Sequence, residues 1–112
     1  MVTAMPIGWM SESDLLRAAA AVACGAGHPG AGALLREADM RALRVVDAVN
    51  CERSACGGAA GVVSGSRILV GGPEWLLAHG VDLSALGAVG VPDGAVMVAS
   101  DGRLAGVVLV DG

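Results

Sequence analysis

Lysine, phenylalanine and tyrosine are absent from this chain of 112 residues, and Trp9 and Trp75 are its only large aromatics. Its seven basic residues are all arginine, and eleven carboxylates leave a net charge of −4. A nucleic-acid polymer is therefore excluded as a partner, because a phosphate backbone is met by clustered positive charge. A single nucleotide is not excluded, since neutral groups can hold a base and a ribose. Three cysteines, Cys24, Cys51 and Cys56, leave one thiol over under any disulfide pairing. They read as reduced thiols. Cys51 and Cys56 are not spaced as a zinc knuckle, so no metal ligand is assigned. Long apolar runs are missing too. The composition is 54% hydrophobic with a mean hydropathy of +0.67, yet the longest candidate run, 18–26, is far below the roughly 20 residues a spanning helix needs. No segment that inserts into a membrane is expected.

The core must then be built from Val, Leu, Ile, Ala and Met, in one domain covering 1–112. Ser11 is placed to cap a helix, with Asp14 three residues on. Leu15, Leu16, Ala19, Val22 and Ala23 fall on one face of that helix, and Gly25 and Gly27 stop it. Pro29 suits the start of a second helix over 30–38, with Ala31, Leu34 and Leu35 inward. Residues 44–49, 59–63 and 67–70 read as strands, the last two joined by a tight turn at Ser64-Gly65. Residues 73–79 form a short helix begun by Pro73 and ended by Gly80, with His79 as a plain helix-end residue. A glycine-punctuated connection, 81–93, follows. The clearest local signal is a hairpin, 95–100 and 103–110, about Asp101-Gly102, the signature of a type I′ turn. The expected class is α+β, an antiparallel sheet of about six strands flanked by helical hairpins.

Gly25-Ala-Gly27-His28-Pro29-Gly30 also matches G-x-G-x-x-G, with Asp47 as a possible ribose-binding acid. A dinucleotide-binding domain would need 18–24 to be a buried parallel strand. Alanine is the best helix former and a poor strand former, and the Ser11 cap feeds directly into that run. Helix, break, helix is the preferred reading, and the dinucleotide-binding one is an alternative.

Four stretches, in order, resemble the nucleotide-binding domain of heavy-metal-transporting P-type ATPases. Gly25-Ala-Gly27-His28-Pro29 between two helices is similar to the family's S-E-H-P element. The stretch from Gly57 and Gly58 through Gly61 to Gly65 resembles its G-x-G-V-x-G-x-V-x-G strand and turn. The run Ile68-Leu-Val-Gly71-Gly72-Pro-Glu-Trp75 resembles V-x-V-G-N-x-x-W/L, and the final hairpin resembles D-G-x-x-x-G-x-x-x-x-D. The resemblance implies that the chain binds ATP, with Mg²⁺ accompanying the nucleotide, and that His28, Gly57, Gly58, Gly61, Gly71 and Gly72 line the site. It implies a cytoplasmic domain of an integral membrane pump, with phosphorylation and actuator domains as partners. In the family the γ-phosphate passes to an aspartate of a D-K-T-G-T motif on the phosphorylation domain. That motif is not in this sequence, and no catalytic residue is assigned here.

The sequence departs from the family pattern at four positions. Ala23 stands where the family has an adenine-contacting glutamate, and Gly27 replaces the glutamate before the histidine. Cys56 replaces the first glycine of the G-x-G pair, and Gly72 replaces an asparagine. These departures imply weakened or altered nucleotide affinity. They also leave room for a degenerate copy of the fold that serves as a structural or regulatory module.

Overall fold

In the computed structural model of the chain, residues 2–7, 10–27, 31–53, 58–84 and 95–110 are described. Their elements are β1 (Val2–Pro6), α1 (Glu12–Ala26), α2 (Ala31–Met40), β2 (Val49–Arg53), β3 (Ala59–Val63), β4 (Ser66–Gly71), α3 (Pro73–Ala78), β5 (Ala95–Ser100) and β6 (Arg103–Val110). The six strands form one sheet in the order β1-β6-β5-β4-β3-β2. Every neighbouring pair in it is antiparallel. Residues 18–24 lie inside α1. The dinucleotide-binding alternative is thereby excluded, since it needs those residues as a parallel strand.

α1 begins as its sequence requires. Ser11 is extended, at φ −71° and ψ 163°, and its hydroxyl oxygen accepts from the Asp14 amide at 3.1 Å. The helix passes through Gly25 and ends at Gly27, which adopts the left-handed conformation (φ 69°) and donates its N–H to the Ala23 and Cys24 carbonyls. Leu15, Leu16 and residues 18–23 are buried between the sheet and α2. Arg41, just past α2, closes the helical pair. Its Nε donates to Glu37 and its Nη1 to Glu12 in the first turn of α1, each at 2.7 Å.

The sheet carries apolar side chains on both faces. Ile68, Val70, Val98 and Val108 meet α1 and α2 on one side. Leu69, Met97, Leu104 and Val107 meet Leu76 of α3 and Val81 on the other. The two tight turns lie together at one end. Ser64 and Gly65 have φ 51° and 85°, and Asp101 and Gly102 have 51° and 82°, the paired positive values of a type I′ turn. Asp101 ties the hairpins to each other. Its carboxylate accepts from the Arg67 amide at 3.0 Å, and its own amide donates to the Arg67 carbonyl at 2.9 Å.

Both edge strands differ from the sequence reading. Residues 43–48, expected as a strand from 44, have no regular structure, and the strand begins at Val49. Val45 and Ala48 still pack on the helical core, so the apolar pattern there records burial of an extended segment without ladder pairing. β2 has the exposed residues Asn50, Glu52 and Arg53, with Cys51 as its one partly buried position. Its pairing with β3 is irregular between Val49 and Glu52, where Asn50 has φ 53°. β1 was not foreseen. It alternates exposed Thr3 and Met5 with buried Ala4, and Pro6 is tolerated because the strand lies on the sheet edge. Gly106 lets β1 and α1 close over β6, since a Cβ there would lie 2.6 Å from both Leu15 Cδ2 and the Met5 carbonyl oxygen.

Candidate functional site

The β3–β4 register pairs Ala59 with Val70 and so brings Gly58 beside Gly71, at the end of the sheet away from the type I′ turns. A Cβ on Gly71 would lie 3.2 Å from the Gly58 Cα. The side of these glycines that a Cβ would occupy is filled by Trp75. A Cβ on Gly58 would fall 2.4 Å from Trp75 Cδ2 and 2.5 Å from Cε2, and one on Gly71 would fall 2.8 Å from Cε3. The indole therefore lies across two adjoining backbones.

The sequence places Trp75 there for local reasons. Pro73 starts α3 directly after β4, Gly72 is its extended N-cap (φ −77°, ψ 167°), and buried Leu76 anchors the helix to the sheet. His79 caps the helix, and its ring stands 4.3 Å from the Trp75 ring, centroid to centroid. Its Nδ1 lies 2.8 Å from the Trp75 carbonyl oxygen. The Nδ1–H donates to that oxygen, so His79 holds the tryptophan turn, in keeping with its reading as a helix-end residue.

Gly72 differs from its neighbours, because no heavy atom lies within 4 Å of a Cβ placed on it. It borders an open cleft of about 510 Å³ with Pro73, Glu74, Trp75 and Ala78. On the other side of Trp75, Glu52, Arg53, Ala60, Arg67 and His79 border a second space of about 270 Å³.

Gly61 is not part of this grouping. It lies on the opposite face of the sheet, beneath α1, where a Cβ would meet Cys51 Sγ at 2.9 Å, Ala48 Cβ at 3.4 Å and Val22 Cγ2 at 3.5 Å. Gly25 meets the same thiol, with a Cβ position 2.4 Å from Cys51 Sγ. Close packing of α1 on β2 and β3 thus accounts for both glycines.

His28 and Gly57 lie outside the described residues, but each follows or precedes a residue that is described. Gly27, immediately before His28, offers its carbonyl to Arg53 Nη1 at 3.1 Å. Arg53 ends β2 and pairs through its backbone with Ala59, beside Gly58. The end of α1, the end of β2, the start of β3 and the end of β4 therefore converge at one end of the sheet. Ala23, the position of the family glutamate, is fully buried in the helical core. Sequence reasoning missed Arg53. Its only signal was its spacing of two from Cys51, which puts both side chains on the α1 side of the strand.

A cleft of about 420 Å³ lies elsewhere, between the start of α1 and the β3–β4 turn, and includes Asp14, Arg17, Arg44, Ser64, Ser66 and Ser100. Arg17 is paired with Asp14 there. This pairing holds the Asp14 carboxyl below the usual carboxylate range, with the Ser11 hydroxyl adding to the effect.

Comparison with protein-family models finds no match, and comparison with curated proteins finds none. Solved structures do match. The N-domain of HMA6, a copper-transporting P-type ATPase, is 30% identical at a TM-score of 0.76, with 97% of this chain and 96% of that one aligned. The N-domain of HMA8, also a copper-transporting P-type ATPase, aligns over 99% of both chains at a TM-score of 0.82 and 22% identity, which speaks for the fold. The catalytic domain of the CPx-ATPase CopB-B, a structure that describes conformational changes upon nucleotide binding, shares the fold at a TM-score of 0.63 and 19% identity. It aligns over 97% of this chain and 36% of its own. Near-complete coverage at 30% identity, with the antiparallel sheet order and the helical pair already described, assigns the family: the chain belongs to the N-domains of heavy-metal-transporting P-type ATPases.

Proposed function

We propose that this domain holds the adenosine part of ATP at the sheet end where Gly58, Gly71 and Gly72 lie, beside the Gly27 end of α1. The observation that carries the reading is the adjacency of Gly58 and Gly71, two glycines of separate family motifs, next to the Arg53–Gly27 contact. Gly58 and Gly71 are buried against Trp75 and shape the floor of the site, so the base lies against the exposed peptide group of Gly72 and the imidazole of His28. A purine is a flat, largely apolar ring that needs such a surface and a few hydrogen bonds. Gly57 belongs to the same rim. Gly61 contributes by letting α1 settle on the sheet and makes no contact with the nucleotide.

The phosphates, with their Mg²⁺, project away from the domain. The γ-phosphate is then presented to an aspartate on a separate phosphorylation domain, and hinge closure brings the two together. In the pump this chain is a cytoplasmic domain beside the phosphorylation and actuator domains. Among the described residues no helix is long and apolar enough to cross a membrane.

One observation favours a second reading, a copy of the fold that no longer binds nucleotide. The position of the family's glutamate is a fully buried alanine, Ala23. A lost hydrogen bond of about 1 kcal/mol corresponds to roughly a fivefold loss of affinity, so weakened binding is the expected result. An NMR titration with ATP, ADP and AMP separates the readings. Shift changes concentrated at Gly27, Gly58, Gly71 and Gly72, with all three nucleotides binding within about an order of magnitude, are expected if the adenosine is what is held. An unchanged spectrum at millimolar ATP would establish the second reading. Equal binding by His28→Ala would remove His28 from the site.

A further inference from the structure

α1 ends without a basic residue in its last turn. The carbonyls at that end carry the negative pole of the helix and favour a nearby cation. The cation comes from another element. Arg53 reaches from the end of β2 to donate from Nη1 to the Gly27 carbonyl at 3.1 Å. The N–H of the same Gly27 is used by the Ala23 and Cys24 carbonyls. Both backbone polar groups of the residue before His28 are thus engaged, one within α1 and the other by the strand that pairs with β3.

Arg53 is itself fixed at two points. Its backbone stands opposite Ala59, the neighbour of Gly58, and its side chain holds Gly27. Where the family carries a glutamate before the histidine, this chain has a glycine in left-handed conformation with no side chain of its own to fix the helix end. The arginine supplies a tether from outside.

We propose that Arg53 is a positioning residue for nucleotide binding: its guanidinium fixes Gly27, the end of α1, relative to the Gly58–Gly71 end of the sheet. This inference rests on the nucleotide-binding reading above. The guanidinium is exposed, so its removal should loosen the Gly27 end of α1 without unfolding the domain. A lysine keeps the charge and one donor on a stem of similar length and should restore part of the effect.

The test compares wild type, Arg53→Ala, Arg53→Lys and His28→Ala. Three measurements are made on each: amide hydrogen exchange without nucleotide, ATP affinity by titration, and the thermal midpoint. Arg53→Ala should speed exchange at residues 24–31 and weaken ATP binding about fivefold, as expected for one charge-assisted contact at a helix end. Its midpoint should stay close to that of wild type, and Arg53→Lys should recover about half of both losses, leaving an intermediate affinity. If Arg53→Ala instead lowers the midpoint, Arg53→Lys decides: wild-type stability with intermediate affinity supports the positioning role, and wild-type affinity overturns it. Wild-type affinity in Arg53→Ala, while His28→Ala loses binding, overturns this inference and leaves the site assignment standing. Absence of ATP binding by wild type overturns both.

Discussion

Two pairs of glycines sit on opposite faces of the sheet, and each pair encloses one side chain. On the helical face, Gly25 of α1 and Gly61 of β3 close on the Cys51 thiol. On the other face, Gly58 and Gly71 receive the Trp75 indole. The sequence signal is the same in both cases, glycine inside or beside a regular element, and the resemblance assigned three of these four glycines to one site. The occupied volume differs sharply. A single sulfur needs two missing methyl groups so that a helix can lie flat on two strands. A bicyclic ring needs a glycine ladder two strands wide. The first arrangement serves the core alone. The second lies at the sheet end where Arg53 ties β2 to Gly27, so its packing and its proposed function are coupled.

The largest expected effect comes from the tryptophan side. Gly58→Ala drives a methyl group to within 2.4 Å of the indole, against a ring that packs on the core cluster and stands beside His79. Overpacking of this kind costs about 1–3 kcal/mol, and the upper half of that range is expected because the backbone of β3 cannot retreat from β4. At roughly 4 °C per kcal/mol the thermal midpoint should fall by about 10 °C. In a Trp75→Ala background the same substitution should cost less than about 0.5 kcal/mol, and the non-additivity measures the contact. Equal costs in both backgrounds would show that Trp75 does not fill the glycine ladder and would break the comparison.

The cysteine side predicts a change of sign. Alanine is favoured over glycine within a helix by about 0.5–1 kcal/mol, but Gly25→Ala meets Cys51 Sγ at 2.4 Å. The net effect in wild type should be a loss of about 1 kcal/mol in urea unfolding. With Cys51→Ala the sulfur is gone and the nearest atom is the residue 51 Cβ at 3.3 Å. Gly25→Ala should then stabilise by a few tenths of a kcal/mol, as its helix preference requires. Destabilisation of the same size in both backgrounds would mean that something other than the thiol demands glycine at position 25.

Much of this could be read from the chain because it is local. The Ser11 cap and the two positive-φ pairs, Ser64-Gly65 and Asp101-Gly102, each depend on residues a few positions apart. Even the meeting of Gly58 with Gly71 was within reach, since a two-residue turn at Ser64-Gly65 fixes the β3–β4 register outward from Val63 and Ser66. The edge strands were not legible. β2 buries only part of Cys51 and carries an irregular pairing, so it shows no alternation, while the apolar residues just before it pack without joining the ladder. Face assignment was the other gap. Gly58 and Gly61 are three apart in a strand and must point to opposite sides, yet a motif read as one line of glycines hides this. The Arg53–Gly27 contact joins residues 26 apart through a side chain, and no local pattern announces it.

The smallest effect belongs to the glycine that encloses nothing. Gly72 has an ordinary extended backbone, φ −77° and ψ 167°, no side-chain cap bond and open space around its Cβ position. Asparagine caps a helix better than glycine by a few tenths of a kcal/mol, because its side-chain oxygen can accept from the first-turn amides. Gly72→Asn should therefore raise the thermal midpoint by about 1–2 °C, unlike any substitution at Gly58 or Gly25 in the wild-type background. The same change restores the residue that the family places after its strand glycine, and the position borders the cleft beside Trp75. If the nucleotide lies there, ATP affinity should rise by about two- to fivefold, the worth of one added hydrogen bond. A gain in stability with no gain in affinity would confine Gly72 to capping α3 and move the base towards the Gly27 side of the site.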